Sequence, residues 1–180
     1  LENPEHGIPP DLDSSGRHPQ FPQQEDIIAT LRSEGRNVAL IDSQDDEPDR
    51  RVATLEAMRV GADFIVNGQL AVGVLAGGVD LLMRTSGFSE LGDFLYIPCE
   101  TRVDDLLQSP FRLCFAAQLL ANLQGQLPAQ MLIIRDGAEV VPLQTEDHIY
   151  YYRAVEKRFL SAMNIFRKHR EVLESYQQRF

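Results

Sequence analysis

Three apolar segments typical of β-strands follow one another between residues 63 and 102. They read DFIVNGQLAVG (63–73), GVLAGGVDLLMR (73–84) and DFLYIPCETR (93–102). Short apolar runs of this kind, separated by Gly and Ser, predict neighbouring strands of one sheet. These three segments therefore predict a sheet at the centre of the fold. The other apolar segments are then expected to cover the faces of this sheet.

Helical and loop patterns precede these strands. A helical face of isoleucine and leucine runs from Gln23 towards Gly35, where a helix of this kind ends. Residues 37–41 (NVALI) predict a short buried strand, and residues 42–49 (DSQDDEPD) predict a solvated acidic loop. Residues 50–60 predict a second helix that leads into the sheet.

The segments that follow the strands alternate helix, hairpin and helix. Residues 109–125 predict a helix that Ser109 caps and that Gly125 ends. Residues 130–143 predict two strands joined by a Gly turn. A long amphipathic helix then completes the chain, with an apolar stripe formed by Tyr152, Val155, Phe159, Met163, Phe166 and Leu173.

This order of elements predicts the fold class. It indicates an α/β domain with one central mixed sheet, flanked by helices and followed by a long C-terminal helix. Residues 1–22 are rich in Pro, Gly, Ser and Asp without an apolar period, so they predict a linker or irregular arm. Residues 23–180 are long enough to form a single domain with a full core. Because the chain begins with Leu1, it is interpreted as a piece of a longer, multidomain protein.

Charge and composition restrict the partners. Residues 1–152 contain 10 Arg against 24 Asp and Glu, whereas residues 153–180 contain 7 Lys and Arg against 3 Glu. The last helix is thus the only basic element, and the acidic remainder repels phosphates. No apolar run suits a membrane span, and Cys99 and Cys114 make no disulfide framework. We therefore expect a cytoplasmic protein that is not associated with a membrane.

Two acidic residues stand in the predicted strands where aliphatic residues would be expected. Asp80 lies in the second strand of the block and Glu100 lies in the third. Buried carboxylates are costly unless they are paired, hydrogen-bonded or bound to a metal ion. A divalent cation would remove the penalty, and Mg²⁺ accepts one or two carboxylates together with waters and phosphates. Two alternatives remain: a structural ion pair between Asp80 and an arginine such as Arg84 or Arg102, or a solvated position of Asp80 at the end of a strand.

The motifs around these acids resemble a known nuclease family. GGVDLLMR, with Asp80, followed by YIPCETR, with Glu100, is similar to the core of the PD-(D/E)xK superfamily, and in particular to its RecB-like bacterial nucleases. ATLEAMRVGADFIVNGQL and FAAQLLANLQGQLPAQMLIIRDG resemble the segments that precede and follow that core. The resemblance covers residues 23–166 and depends on several motifs in order.

The resemblance implies a restriction-endonuclease-like fold and a metal-dependent reaction. It implies that Mg²⁺ or Mn²⁺ is bound by Asp80 and Glu100, with Glu25 as the candidate ligand from the first helix. The implied activity is hydrolysis of DNA phosphodiesters by a deoxyribonuclease. Glu25 also has a simpler explanation, because acidic residues are favoured in the first turn of any helix.

Two departures from the family pattern bear on activity. Arg102 replaces the lysine that assists the attacking water, and a guanidinium stabilises a phosphate but cannot act as a base. The family's Gln and Tyr in the following helix are also missing. One alignment places Arg112 and Ala116 there, and a shifted alignment uses Gln118.

Two interpretations remain open from the sequence. In the first, the chain is an active, divergent nuclease in which Arg102 binds a phosphate of DNA. In the second, it is a catalytically degenerate module that binds nucleic acid or protein partners, including other domains of the same protein. The candidate basic contacts in the second case are Arg84, Arg102, Arg112 and the C-terminal helix.

Overall fold

The computed structural model describes residues 22–101, 108–135 and 139–177. The helices and strands follow the predicted order. Their bounds are α1 (Pro22–Ser33), β1 (Val38–Leu40), α2 (Glu47–Arg59), β2 (Phe64–Val72), β3 (Leu75–Ser89), β4 (Gly92–Glu100), α3 (Ser109–Gln124), β5 (Gln130–Arg135), β6 (Glu139–Gln144) and α4 (Glu146–Gln177).

The described strands form one six-stranded mixed sheet in the order β1-β2-β3-β4-β5-β6. β1 and β2 are parallel, as are β4 and β5, and the remaining neighbours are antiparallel. Each parallel connection contains a helix, α2 in the first case and α3 in the second, as the geometry of a parallel crossover requires. The predicted α/β fold with a mixed central sheet and a long C-terminal helix is confirmed.

The core lies on both faces of the sheet because successive side chains of a strand point in opposite directions. Ile65, Leu82 and Tyr96 pack with residues of α2 and α3 on one face. Their immediate neighbours along the chain, among them Val66, Leu81 and Ile97, pack on the other face, where Ile28 of α1 joins them. A further cluster lies between α3, β5 and the first turns of α4.

Several element boundaries differ from the sequence prediction. α2 begins at Glu47 rather than at residue 50, because Asp46 caps it by accepting a hydrogen bond from the backbone N–H of Asp49 at 3.0 Å. The first residue of α3, Ser109, is not its cap. Gln108 holds that position and makes no capping hydrogen bond with its side chain.

The hairpin between β3 and β4 is also tighter than its sequence suggests. β3 continues to Ser89, which pairs with Gly92, so the predicted Gly- and Ser-containing turn is largely strand. The Ser89 hydroxyl donates to the carbonyl oxygen of Phe94 at 2.6 Å and accepts from the backbone N–H of Leu91 at 3.0 Å. These two hydrogen bonds close the turn with a side chain, which is a local arrangement that hydrophobic periodicity does not register.

The long helix α4 contacts the rest of the described domain only near its beginning. Ile149 and Tyr152 are buried against α3 and β5, and the Tyr152 ring lies edge-on to Phe111 at 5.1 Å between centroids. From residue 161 to residue 175 every position is exposed. None of the helices in the described part of the chain is both long and apolar enough to cross a membrane.

A buried glutamine connects the end of α3 to the middle of β4. β5 pairs with β4 only at Cys99 and Glu100, which leaves the earlier part of the β4 edge without a neighbouring strand. Gln124 fills this place. Its Oε1 accepts from the backbone N–H of Tyr96 at 2.9 Å, and its Nε2 donates to the Tyr96 carbonyl at 3.0 Å and to the Gln126 carbonyl at 3.1 Å.

We expect Gln124→Ala to lower the free energy of unfolding by about 2 to 3 kcal/mol, because it leaves buried backbone groups of β4 without partners. Gln126→Ala is the matched control: its side chain is exposed, so the change should stay within about 0.5 kcal/mol. Urea denaturation followed by circular dichroism measures both. Equal effects of the two substitutions would contradict the role assigned to Gln124.

Candidate functional site

The two acidic residues of the central strands lie together at one end of the β3–β4 ladder. Leu81 pairs with Cys99 across the two strands, Asp80 directly precedes Leu81, and Glu100 directly follows Cys99. Both carboxylates are buried, with 9 % of Asp80 and 7 % of Glu100 exposed to solvent. The chain therefore places two negatively charged groups at the same buried position, where each needs a compensating partner.

Asp80 is held by the residue that follows β4. Its Oδ2 accepts hydrogen bonds from the backbone N–H of Thr101 at 3.1 Å and from the Thr101 hydroxyl at 3.4 Å. On the other side of Asp80, the ladder pairs Val66 with Leu81 and Gly68 with Val79 but passes over Asn67. Asn67 has a left-handed backbone with φ of 56°, a conformation that asparagine tolerates better than most residues. The sheet is thus locally irregular on the β2 side of Asp80.

Glu100 is held by an arginine from the next helix. The Nε of Arg112, in the first turn of α3, donates to Glu100 Oε1 at 2.6 Å, and Arg112 Nη2 also contacts this oxygen. A longer contact of 3.5 Å joins Arg112 Nη2 to the hydroxyl of Ser109. The carboxylate is almost fully buried, whereas 45 % of the Arg112 side chain is exposed. Arg112 therefore connects the buried acid to the protein surface.

The second oxygen of Glu100 has a different environment. Among the described residues, Glu100 Oε2 is buried and has no hydrogen-bond partner. An open cavity of about 280 Å³ adjoins this group, and its described walls are Gly78, Val79, Asp80, Cys99, Glu100, Arg112, Leu113 and Ala116. A buried carboxylate oxygen without a donor is energetically unfavourable until a cation or a hydrogen-bond donor reaches it.

Small residues on β3 allow α3 to lie close to this end of the sheet. A Cβ atom at Gly77 would collide with the aromatic ring of Phe115 on α3. The glycine thus permits the close approach that sets Arg112 above Glu100, one turn away from Phe115. Gly77, the first glycine of the GG pair before Asp80, thus has a steric reason in the packing of the helix.

The remaining candidates from the sequence do not all reach the cavity. Arg102 lies outside the described residues. Glu25 is exposed in the first turn of α1 and is not among the described walls of the cavity. Arg84 pairs with Asp63 at 2.7 Å rather than with Asp80. Within residues 22–101, 108–135 and 139–177, no group of three or more His, Cys, Asp or Glu side chains is arranged to hold a metal ion. Of the three predicted acidic ligands, Asp80 and Glu100 are thus the two that line the cavity as described.

The two alternative alignments of α3 lead to different places in the structure. Arg112 and Ala116 both line the cavity, one turn apart. Gln118 lies elsewhere and accepts a hydrogen bond from Nε of Arg153 on α4 at 2.9 Å. Arg112 and Ala116 thus occupy the positions next to the two acids. The sequence indicated these positions by alignment, but it did not predict that Arg112 pairs with Glu100 or that Thr101 holds Asp80.

Comparison with known protein families and curated proteins adds no support for a family or a function. No protein-family model matches the sequence, and no curated protein matches it significantly. The similarity to RecB-like nucleases consequently rests on the motifs quoted above.

Both thiols are buried in apolar surroundings. Burial raises the pKa of Cys99 to about 12 and that of Cys114 to about 11. The thiolate is the nucleophilic form of cysteine, so a raised pKa leaves very little of it near neutral pH.

We therefore expect neither cysteine to react rapidly with Ellman's reagent in the native protein at pH 8. Both thiols should react once guanidinium chloride unfolds the chain, which serves as the internal control. Rapid labelling of Cys99 in the native state would show instead that the wall of the cavity is open to solvent and that this thiol is available for chemistry.

Proposed function

We propose that the cavity binds a divalent metal ion through Asp80 and Glu100 and that the protein hydrolyses DNA phosphodiesters. The observation that carries the proposal is Glu100 Oε2, a buried carboxylate oxygen to which no described residue donates, in a residue that lines the same cavity as Asp80. Two carboxylates and an open space for waters and a phosphate correspond to the usual environment of Mg²⁺. The motif resemblance to RecB-like nucleases supports the same reaction.

The residues of the cavity would have different roles in such a site. Asp80 and Glu100 would hold Mg²⁺ or Mn²⁺, which when bound supplies a Lewis acid for the phosphate and an activated water. Arg112 holds Glu100 through Oε1, and no described residue donates a hydrogen bond to Oε2. The exposed part of Arg112 is suited to a phosphate of the substrate, because a guanidinium donates several hydrogen bonds in a planar arrangement. Arg102 is proposed to bind phosphate as well.

A second function is favoured by the Arg112–Glu100 ion pair itself. A guanidinium already places a positive charge beside one of the two acids, which reduces the need for a metal ion. The acidic balance of residues 1–152 also opposes a strong DNA complex. In this case the chain is a catalytically degenerate module that binds nucleic acid or other protein domains. The two unpaired cysteines fit a reducing compartment, so the cytoplasm remains the proposed location.

Metal binding is the first test. Calorimetric titration with Mn²⁺ should show binding to the wild-type chain, and Asp80→Asn and Glu100→Gln should weaken it about tenfold or more, since each removes a charged ligand but keeps the shape of the side chain. Asp45→Asn is the matched control, because Asp45 is an exposed acid in the loop before α2. Equal affinity in wild type and Glu100→Gln would refute the site.

A DNA cleavage assay distinguishes an active nuclease from a catalytically degenerate module. We expect supercoiled plasmid and labelled single- and double-stranded oligonucleotides to be cut with Mg²⁺ or Mn²⁺ and to remain intact with EDTA. Glu100→Gln should abolish cutting, and Arg112→Ala should reduce it by more than about tenfold. Metal binding without cleavage would favour the degenerate module, and Arg102→Lys would then test whether the missing lysine accounts for the loss.

A further inference from the structure

The C-terminal two thirds of α4 present an apolar surface without a partner in the described structure. Arg153 still contacts Gln118 of α3, and Val155 and Leu160 are half-buried, but every position from residue 161 to residue 175 is exposed. Phe159 is 55 % exposed, Phe166 71 % and Leu173 64 %. Residues 153–175 extend over about 34 Å at 1.5 Å per residue. A single helix that carries such a surface through water is marginally stable, so the surface indicates a binding partner.

The apolar positions of this part of α4 follow a heptad spacing. Val155, Phe159, Ala162 and Phe166 are separated by four, three and four residues, and Leu173 follows one heptad after Phe166. His169 takes the remaining place in the series. This alternation of three and four defines one continuous seam, which is the pattern of a helix that pairs with another helix. We call the series from Val155 to Leu173 the α4 seam.

We propose that the α4 seam pairs in antiparallel orientation with the α4 seam of a second copy of this chain. In one symmetric register, Phe166 lies opposite Ala162 of the second copy. A large residue thus meets a small one on each side of the two-fold axis. The same register sets Leu173 against Val155 and Phe159 against His169 of the second copy. Such matching of large and small side chains fills an interface without voids.

Residues beside the seam complement each other in the same register. Glu156 meets Arg170 of the second copy, and symmetry repeats this pair. On the same flank, Met163 lies opposite Met163 of the second copy. On the other flank, Ile165 lies opposite Ile165 of the second copy. Arg170 already donates to Glu174 within α4 at 2.9 Å, and the other donors of its guanidinium remain for Glu156. A parallel, in-register pair would set Ile165 beside Arg170 and form no opposite-charge pair there. The flanks therefore favour the antiparallel orientation.

The basic residues of α4 that lie outside these flanks do not oppose the pairing. Arg153, Lys157, Arg167 and Lys168 fall on the helix face away from the seam, by their position in the heptad. Arg167 is 3.9 Å from Glu171 within the helix. Lys157, Arg167 and Lys168 thus face solvent when two copies pair, whereas Arg153 contacts Gln118 of its own α3 and Arg158 lies on the flank of Ile165. The centre of the interface is apolar.

The oligomeric state tests the proposal. Sedimentation equilibrium of the whole chain should show a monomer–dimer equilibrium, and Phe166→Glu should weaken the dimer by more than about tenfold. Phe88→Glu is the matched control, since Phe88 is an equally exposed phenylalanine on β3. Circular dichroism shows whether each variant keeps its helices. A monomeric wild type overturns the proposal, and so does a dimer that Phe166→Glu leaves unchanged.

Two further variants test the register. Glu156→Arg and Arg170→Glu should each weaken the dimer, and the double variant should restore it, because reversing both charges recreates the pair. Met163→Cys should form a disulfide-linked dimer on mild oxidation, whereas Lys168→Cys, on the outer face, should not. The buried Cys99 and Cys114 do not interfere. Dimers without charge rescue and without the Met163→Cys cross-link would overturn the antiparallel arrangement.

Discussion

The burial of two carboxylates at one end of the β3–β4 ladder is the constraint on which the arrangement of this domain depends. Neither Asp80 nor Glu100 can be withdrawn from water without compensation. Thr101 supplies two donors to Asp80, and Arg112 supplies a charged donor to Glu100. Arg112 can do so only because α3 approaches β3 closely over Gly77. The positions of a loop residue, a helix and a glycine thus follow from the needs of two acids.

Within the described part of the chain, the compensation of Glu100 is incomplete, and the proposed function rests on this observation. Structural ion pairs in protein interiors generally satisfy the remaining lone pairs of the carboxylate as well, because a half-satisfied group is costly. Among the described residues, Glu100 has a donor for Oε1 and none for the buried Oε2. This difference between the two oxygens is the observation on which the proposed cation site rests. Arg112 nevertheless already balances part of the charge of Glu100. Metal binding and DNA cleavage are therefore separate questions.

Local signals in the sequence were sufficient for the fold, but contacts between distant residues were not predictable. Gly35 and Gly125 follow the ends of α1 and α3 with left-handed backbones, which only glycine adopts without strain, so these helix ends could be read directly. The extent of β3 could not be predicted, because Ser86 and Ser89 pair with β4 across an irregularity in the ladder and this pairing does not depend on apolar side chains. The site was located by Asp80 and Glu100, which stand out in apolar strands. The partner of Glu100 could not be predicted, because the pairing with Arg112 depends on how α3 lies over the sheet.

The contacts of α3 with β4 at both of its ends have a consequence for the evolution of this segment. Arg112 near the start of the helix contacts Glu100, and Gln124 at its end contacts Tyr96, so α3 runs in the opposite direction to β4 and is fastened to it twice. Inserting or deleting one residue between these two positions would turn one contact away from the strand by about 100°, given 3.6 residues per turn. The number of residues between Arg112 and Gln124 is therefore fixed more strictly than their identity. Among relatives of this chain, the spacing of the two contacts should persist where the intervening sequence has changed.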